Sequence, residues 1–233
     1  MSTNFLFILA TRNAHKVEEI RALLRSEFRF LTLEDFPSAP DVIENADTFR
    51  GNATKKSVEL ANWLASSEHL KSKQEKCANI FVLADDSGLE VDALNGAPGV
   101  FSARFAALDS GQNGNSSDAE NNKKLLGLLE KIPLEKRTAR FRCVIALTPI
   151  IFPANETSSP ACFADEAELR REIFEGACEG RIAFVASGQG GFGYDPLFIP
   201  SGFENSFAEL GHAEKNKISH RAKALSKLCE RFL

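Results

Sequence analysis

The sequence predicts an α/β fold, on three observations. Short, continuous apolar runs such as Phe5–Ala10 and Ile80–Ala84 have the length and composition of buried strands. Between them lie stretches with apolar residues at helical spacing, as in Val17, Ile20, Leu23 and Leu24. The two kinds alternate along 233 residues, with no internal repeat and no linker that divides them.

Taken in order, the Phe5–Ala10 strand runs into the polar segment Thr11-Arg-Asn-Ala-His-Lys16, and a helix follows to about Arg25. A second helix is expected over Thr48–Ser66, with Phe49, Ala53, Leu60, Ala61 and Leu64 on one side. Lys71–Lys76 reads as a polar connector. The Ile80–Ala84 strand ends at Asp85-Asp86-Ser87-Gly88, after which Leu89–Leu94 alternates apolar and acidic residues in an extended pattern. Asn95-Gly-Ala-Pro-Gly99 is a turn and Ser110–Ser117 a polar loop. A helix over Ala119–Ile132 precedes β character over Thr138–Leu147, and Phe152–Ala161 looks like an insertion. Arg181–Ala186 reads as a strand before a glycine-rich stretch. The last helix is expected from about Ser219, facing Ala222, Leu225, Leu228 and Phe232 inward.

Composition narrows the function. Lys and Arg number 28 against 32 Asp and Glu, a net charge of -4, which argues against nucleic-acid binding by clustered cations. A small anionic ligand held by a few placed cations and a metal remains open. Five scattered cysteines without a Cys-x-x-Cys pair favour reduced thiols in a cytosolic protein. No apolar run approaches the roughly 18 residues of a membrane span. There are 19 Phe, most of them expected in the core, and a single Tyr at position 194.

Four polar clusters each follow or open a regular element, where α/β proteins hold ligands. Thr11-Arg-Asn-Ala-His-Lys16 offers backbone N–H groups at a helix start, a hydroxyl, an amide and an ammonium, which together suit a polyphosphate; the alternative is an ordinary capped loop. Asp85-Asp86-Ser87-Gly88 at a strand end would turn one carboxylate toward a cleft, to bind Mg²⁺ or take a proton from water, while the other braces the turn. A solvated turn before glycine is the plainer reading. Gly188-Gln-Gly-Gly-Phe-Gly193 matches a dinucleotide fingerprint formally, but the segment after it carries Pro196 and Pro200 and cannot be the helix that the fingerprint demands. What survives is a glycine-lined loop with Phe192, Tyr194 and Asp195, suited to a flat ring, or a hairpin turn. Lys215-Asn-Lys-Ile-Ser-His-Arg221 is read as opening the last helix, where its cations oppose the macrodipole unless an anion meets them.

Together these clusters resemble the inosine triphosphate pyrophosphatase family, also called Ham1-like. The matching segments are Thr11-x-Asn-x-x-Lys16, Ala84–Leu89, Gly96–Arg104, Gly190–Phe198 and Ile218–Ala222, so the likeness spans nearly the whole chain. The resemblance implies one domain over residues 1–233, with two lobes around an elongated, twisted mixed β-sheet and a cleft between them. It implies Mg²⁺-dependent hydrolysis of ITP, dITP and XTP to the monophosphate and pyrophosphate, in a homodimer, while the charge balance and the absence of a long apolar run add the expectation of no nucleic-acid or membrane partner. By the same resemblance Thr11, Arg12, Asn13, Ala14, His15 and Lys16 hold the triphosphate, and Asp86 is proton acceptor and metal ligand. Ser87 contacts substrate, and Phe192, Gly193, Tyr194 and Asp195 form the base pocket, closed by Lys215, His220 and Arg221. Glu44 as metal ligand and Lys56 as substrate ligand fit by spacing. The family's Phe-x-Glu-Asn-Ala reads Phe49-Arg-Gly-Asn-Ala53 here, with Gly51 at the acidic position. A Maf-like pyrophosphatase with a different base preference, and a nucleotide sensor without turnover, are the competing readings.

Overall fold

Strand β1 (Phe5–Leu9) lies between two parallel neighbours, β2 (Arg29–Thr32) and β3 (Asn79–Val91), with Phe7 opposite both Phe30 and Phe81. The connections carry helices α1 (Ala14–Leu23) and α2 (Phe49–Ser66), as parallel pairing requires. The sheet continues through β4 (Thr138–Pro149), β5 (Glu172–Ile182) and β6 (Phe198–Pro200) in the order β2-β1-β3-β4-β5-β6. Antiparallel pairing of β5 with β6 makes the sheet mixed. A short helix α3 (Ala107–Ser110), then α4 (Asp118–Leu128), α5 (Phe207–Ile218) and α6 (His220–Arg231) complete the elements. The structure is a computed structural model and describes residues 5–24, 28–66, 70, 79–111, 114–152 and 168–232. None of the described helices is long and apolar enough to cross a membrane.

The described residues fall into two compact units. The first takes those up to Asp86, from Val144 to Phe174 and from Lys227 on; the second takes Ser87–Cys143 and Glu175–Ser226. The first buries Leu6, Ile8, Phe36, Leu60, Leu64, Ile80 and Val82 in one cluster. A second nest joins Phe5, Phe7, Phe28, Phe81 and Phe232 with ring centroids 4.9–6.3 Å apart. The second unit packs Leu89, Leu125, Leu129, Tyr194, Leu197 and the three rings Phe141, Phe198 and Phe207. The abundant phenylalanines are thus mainly core, without a polar atom to satisfy.

Several expectations need correction. The Asp85–Gly88 segment is no strand end: β3 runs unbroken for 13 residues through it. The Arg181–Ala186 strand ends at Ile182 and begins ten residues earlier, at Glu172. Within it a Cβ on Gly176 would run into the His220 carbonyl and one on Gly180 into the Ile199 carbonyl, so these glycines mark close backbone approach. The last helix starts at His220, next to the expected Ser219, but Lys215 and Lys217 sit in the last turn of α5, where the macrodipole favours cations. Ser219 ends α5 and caps α6, its Oγ accepting the Ala222 N–H at 3.1 Å. The Lys71–Lys76 connector, residues 153–161 of the insertion and residues 112–113 lie outside the described residues.

Candidate active site

In the first unit, the end of β1 passes Thr11 and enters α1 through Asn13. Asn13 is the N-cap; its Oδ1 accepts the Lys16 N–H at 3.2 Å, and its own N–H donates to Thr11 Oγ1 at 3.2 Å. No acidic side chain occupies the first turn of α1, which leaves its N–H groups and dipole favourable to an anion. The Lys16 ammonium sits 2.5 Å from Asp85 Oδ1 on β3, whose side chain is fully buried. Asp85 therefore braces a lysine rather than a turn.

Lys56, projecting from α2, gathers the remaining charges. Its Nζ lies 2.9 Å from Glu44 Oε2, 2.8 Å from the Asp85 carbonyl and 3.5 Å from Asp86 Oδ1. Glu44 reaches this point on a loop that is tied to α2 by Asn52, whose buried Oδ1 accepts the Ala46 N–H at 2.9 Å. That loop settles directly on Gly51: a Cβ there would stand 2.7 Å from the Ala46 methyl. Asp86 is buried and its Oδ2 has no hydrogen-bond partner. Burial raises its pKa, the Lys56 and Lys16 ammonium groups lower it, Glu44 and Asp85 raise it again, and the carboxyl is pushed up to about 6. Burial also raises Glu44, but Lys56 and Lys16 outweigh it and hold that carboxyl below its ordinary range. Two neighbouring carboxyls thus have their pKa values driven apart, the pattern of a site that keeps a base in reserve.

The second unit holds the other predicted residues. Asp195 Oδ2 accepts from Lys215 Nζ at 2.5 Å and from the Phe192 N–H at 3.0 Å, and the Lys215 ammonium stands 4.8 Å from the Phe192 ring centroid. Both charged side chains are almost fully buried, at 3% and 2% exposure. Gly193, at φ 62, donates its N–H to Asp118 Oδ2 at 2.6 Å and accepts from Asn122 Nδ2 at 3.0 Å. Tyr194 donates its hydroxyl to the Ser102 carbonyl at 2.9 Å; burial, then the Asp118 charge, pushes its pKa well up. Buried His220 stacks on Phe141 with centroids 4.8 Å apart, and buried Arg221 points an Nη2 to Ser87 Oγ at 3.4 Å.

Thus Lys16, Glu44, Lys56 and Asp86 converge in one unit, and Phe192, Asp195 and Lys215 in the other. Arg12 turns away: its guanidinium binds Asp41 Oδ1 at 2.9 Å and the Ala39 carbonyl at 3.0 Å. Ala14 and His15 lie exposed in the first turn of α1. Sequence reasoning did not single out Asn52, Ser102, Asp118 or Asn122. Asp118 had a trace in the sequence, as an acid inside the Ser117-x-x-Glu120 capping box.

The Ham1 family model matches residues 7–231. The chain belongs to the Ham1 family. It is 44% identical to the dITP/XTP pyrophosphatase of Geobacter sulfurreducens, over 95% of this chain and 93% of that protein. It is 42% identical to that of Desulforamulus reducens, over 96% and 93% respectively. Among solved structures, the HAM1 protein of Coxiella burnetii superposes with a TM-score of 0.72 at 36% identity, covering 98% of each chain. Membership favours the inosine triphosphate pyrophosphatase reading over the Maf-like one.

Proposed function

We propose that this Ham1-family protein hydrolyses dITP, XTP and ITP to the nucleoside monophosphate and pyrophosphate. Asp86 carries the reading: a buried carboxylate with one unpartnered oxygen, its pKa raised toward neutrality, beside cations that suit phosphate. The names of its relatives, dITP/XTP pyrophosphatase, support the substrate class.

In this mechanism the Asn13-capped start of α1 and Lys16 hold the negative phosphate chain, and Lys56 neutralises charge next to Asp86. Asp86 Oδ2 accepts the proton of the attacking water, whose oxygen bonds to the α-phosphorus while the bridging oxygen leaves with pyrophosphate. Phe192 supplies a face for the purine, and the buried Lys215–Asp195 pair a fixed donor and acceptor for its polar edge. A pocket built to pair with a 6-keto edge leaves buried groups unpaired against adenine, which discriminates strongly.

The residues present fit a divalent cation. Glu44 Oε2 and Asp86 Oδ1 bring hard carboxylate oxygens to one ammonium, 2.9 and 3.5 Å from Lys56 Nζ. Glu44 and Asp86 would hold Mg²⁺, which when bound supplies charge neutralisation to the phosphate oxygens. Among the described residues no group of three His, Cys, Asp or Glu side chains converges, so other ligands would come from phosphate and water.

The decisive test is pyrophosphate release from XTP, dITP, ITP, GTP and ATP, with Mg²⁺ and with chelator. Fast release from the first three, slow release from the last two and loss with chelator are expected. Orthophosphate as product, or equal rates on all five, would overturn the reading. The homodimer implied by the resemblance and the cytoplasmic location suggested by the scattered cysteines belong to the same proposal, and light scattering on the purified protein tests the first.

A further inference from the structure

Gly193 has both of its backbone polar groups taken by one helix. Asp118 in the first turn of α4 accepts its N–H at 2.6 Å, and Asn122, four residues on along the same face, donates to its carbonyl at 3.0 Å. Those two bonds fix the two peptide planes that carry Phe192 on one side and Tyr194 on the other. The φ of 62 at Gly193 lets the chain fold back sharply enough for both to reach the helix. Tyr194 is pinned again by its hydroxyl on the Ser102 carbonyl. Ser102 is itself held, its Oγ donating to the Gly99 carbonyl at 2.6 Å and accepting the Leu89 N–H at 2.9 Å. The Gly96–Arg104 segment, matched in sequence without a role, thereby gains one.

We infer that Asp118 and Asn122 are positioning residues for purine selection, acting through Gly193. The inference rests on the function proposed above and deepens it. Gly193 serves as the clasp point of the base loop, because its N–H and carbonyl are bonded to α4. Purine preference then depends on two side chains that touch no part of the nucleotide. Asp118 also sets the environment of Tyr194, as the charge that adds to burial in raising its pKa.

The test compares four variants. Asp118→Ala removes the acceptor, Asp118→Asn keeps an oxygen acceptor without charge, and Asn122→Leu removes the donor. Glu120→Ala breaks the Ser117 capping box of the same helix start without touching Gly193. Asp118→Ala and Asn122→Leu should raise KM for XTP about five- to tenfold, with kcat little changed and the preference over ATP reduced. Asp118→Asn should restore most of the KM, and Glu120→Ala should lower Tm while leaving KM as it is. Equal KM values in all four would overturn the inference, as would a KM rise in Glu120→Ala matching that in Asp118→Ala.

If the unaltered protein turns over no nucleoside triphosphate, it is the function that fails, and amide hydrogen exchange then decides the clasp. Faster exchange over residues 192–195 in Asp118→Ala and Asn122→Leu, but not in Glu120→Ala, supports it. Unchanged exchange overturns it.

Discussion

In the first unit Lys56 serves three oxygens at once and still leaves Asp86 Oδ2 unpartnered. In the second, Lys215 and Asp195 close on each other, and the Gly193 backbone and the Tyr194 hydroxyl are bonded to Asp118, Asn122 and Ser102. Both arrangements bury charge, but they spend it differently. The Asp86 cluster carries unresolved electrostatic tension, which suits a group that must exchange a proton and receive a multivalent anion. The Asp195 cluster is paired and held from several sides, which suits a pocket that presents a fixed donor and acceptor to a flat ring.

The sharpest way to break this contrast is Asp86→Asn, which should cut pyrophosphate release about 10²–10⁴-fold, measured with saturating XTP. A comparable loss from Asp85→Asn with Asp86 intact would move the base role to its neighbour. Next comes Lys215→Met, which leaves Asp195 buried without its partner and should destabilise the protein by about 3–5 kcal/mol in urea unfolding. Adding Asp195→Asn should recover much of that loss.

The third effect has the opposite sign. The raised pKa of Asp86 means that the folded protein holds its proton more tightly than the unfolded chain does. The ionised carboxylate therefore costs stability above about pH 6, and the cost fades as pH falls from there toward the ordinary value of 3.8. Without metal, Asp86→Asn should stabilise the protein at pH 8 by up to about 3 kcal/mol, and by almost nothing at pH 4. A variant equally stabilised at both values would show that burial is not the cause. The smallest effect is Gly193→Ala, which forces a side chain into the left-handed region at about 1–2 kcal/mol. Its KM for XTP should rise with that of the clasp variants.

The elements nearest the N-terminus were legible because single patterns dominate them: an apolar run for β1, helical spacing for α1 and α2. β3 was not, because Asp85-Asp86-Ser87-Gly88 has the composition of a turn, and only Lys16 and Lys56, distant in sequence, make an acidic pair tolerable inside a strand. Helix α5 escaped notice for a local reason: Gly211, at φ 75, interrupts its backbone and with it the apolar spacing. β2 and β6, with four and three residues, are too short to carry a period. Site residues that act directly stood out by type. Asp118, Asn122 and Ser102 did not, since their roles depend on which backbone atom they meet.

The contact between Ala46 and Gly51 decides which side chains position 51 can hold. A glutamate at position 51, as the family's pattern has it, would put its Cβ 2.7 Å from the Ala46 methyl and 3.1 Å from Thr48 Oγ1. With the Glu44 loop resting on this helix as it does, that substitution meets a wall unless position 46 or the loop path changes first. Gly51, a loss of chemistry when read as a letter, is what lets the Glu44 loop lie against α2.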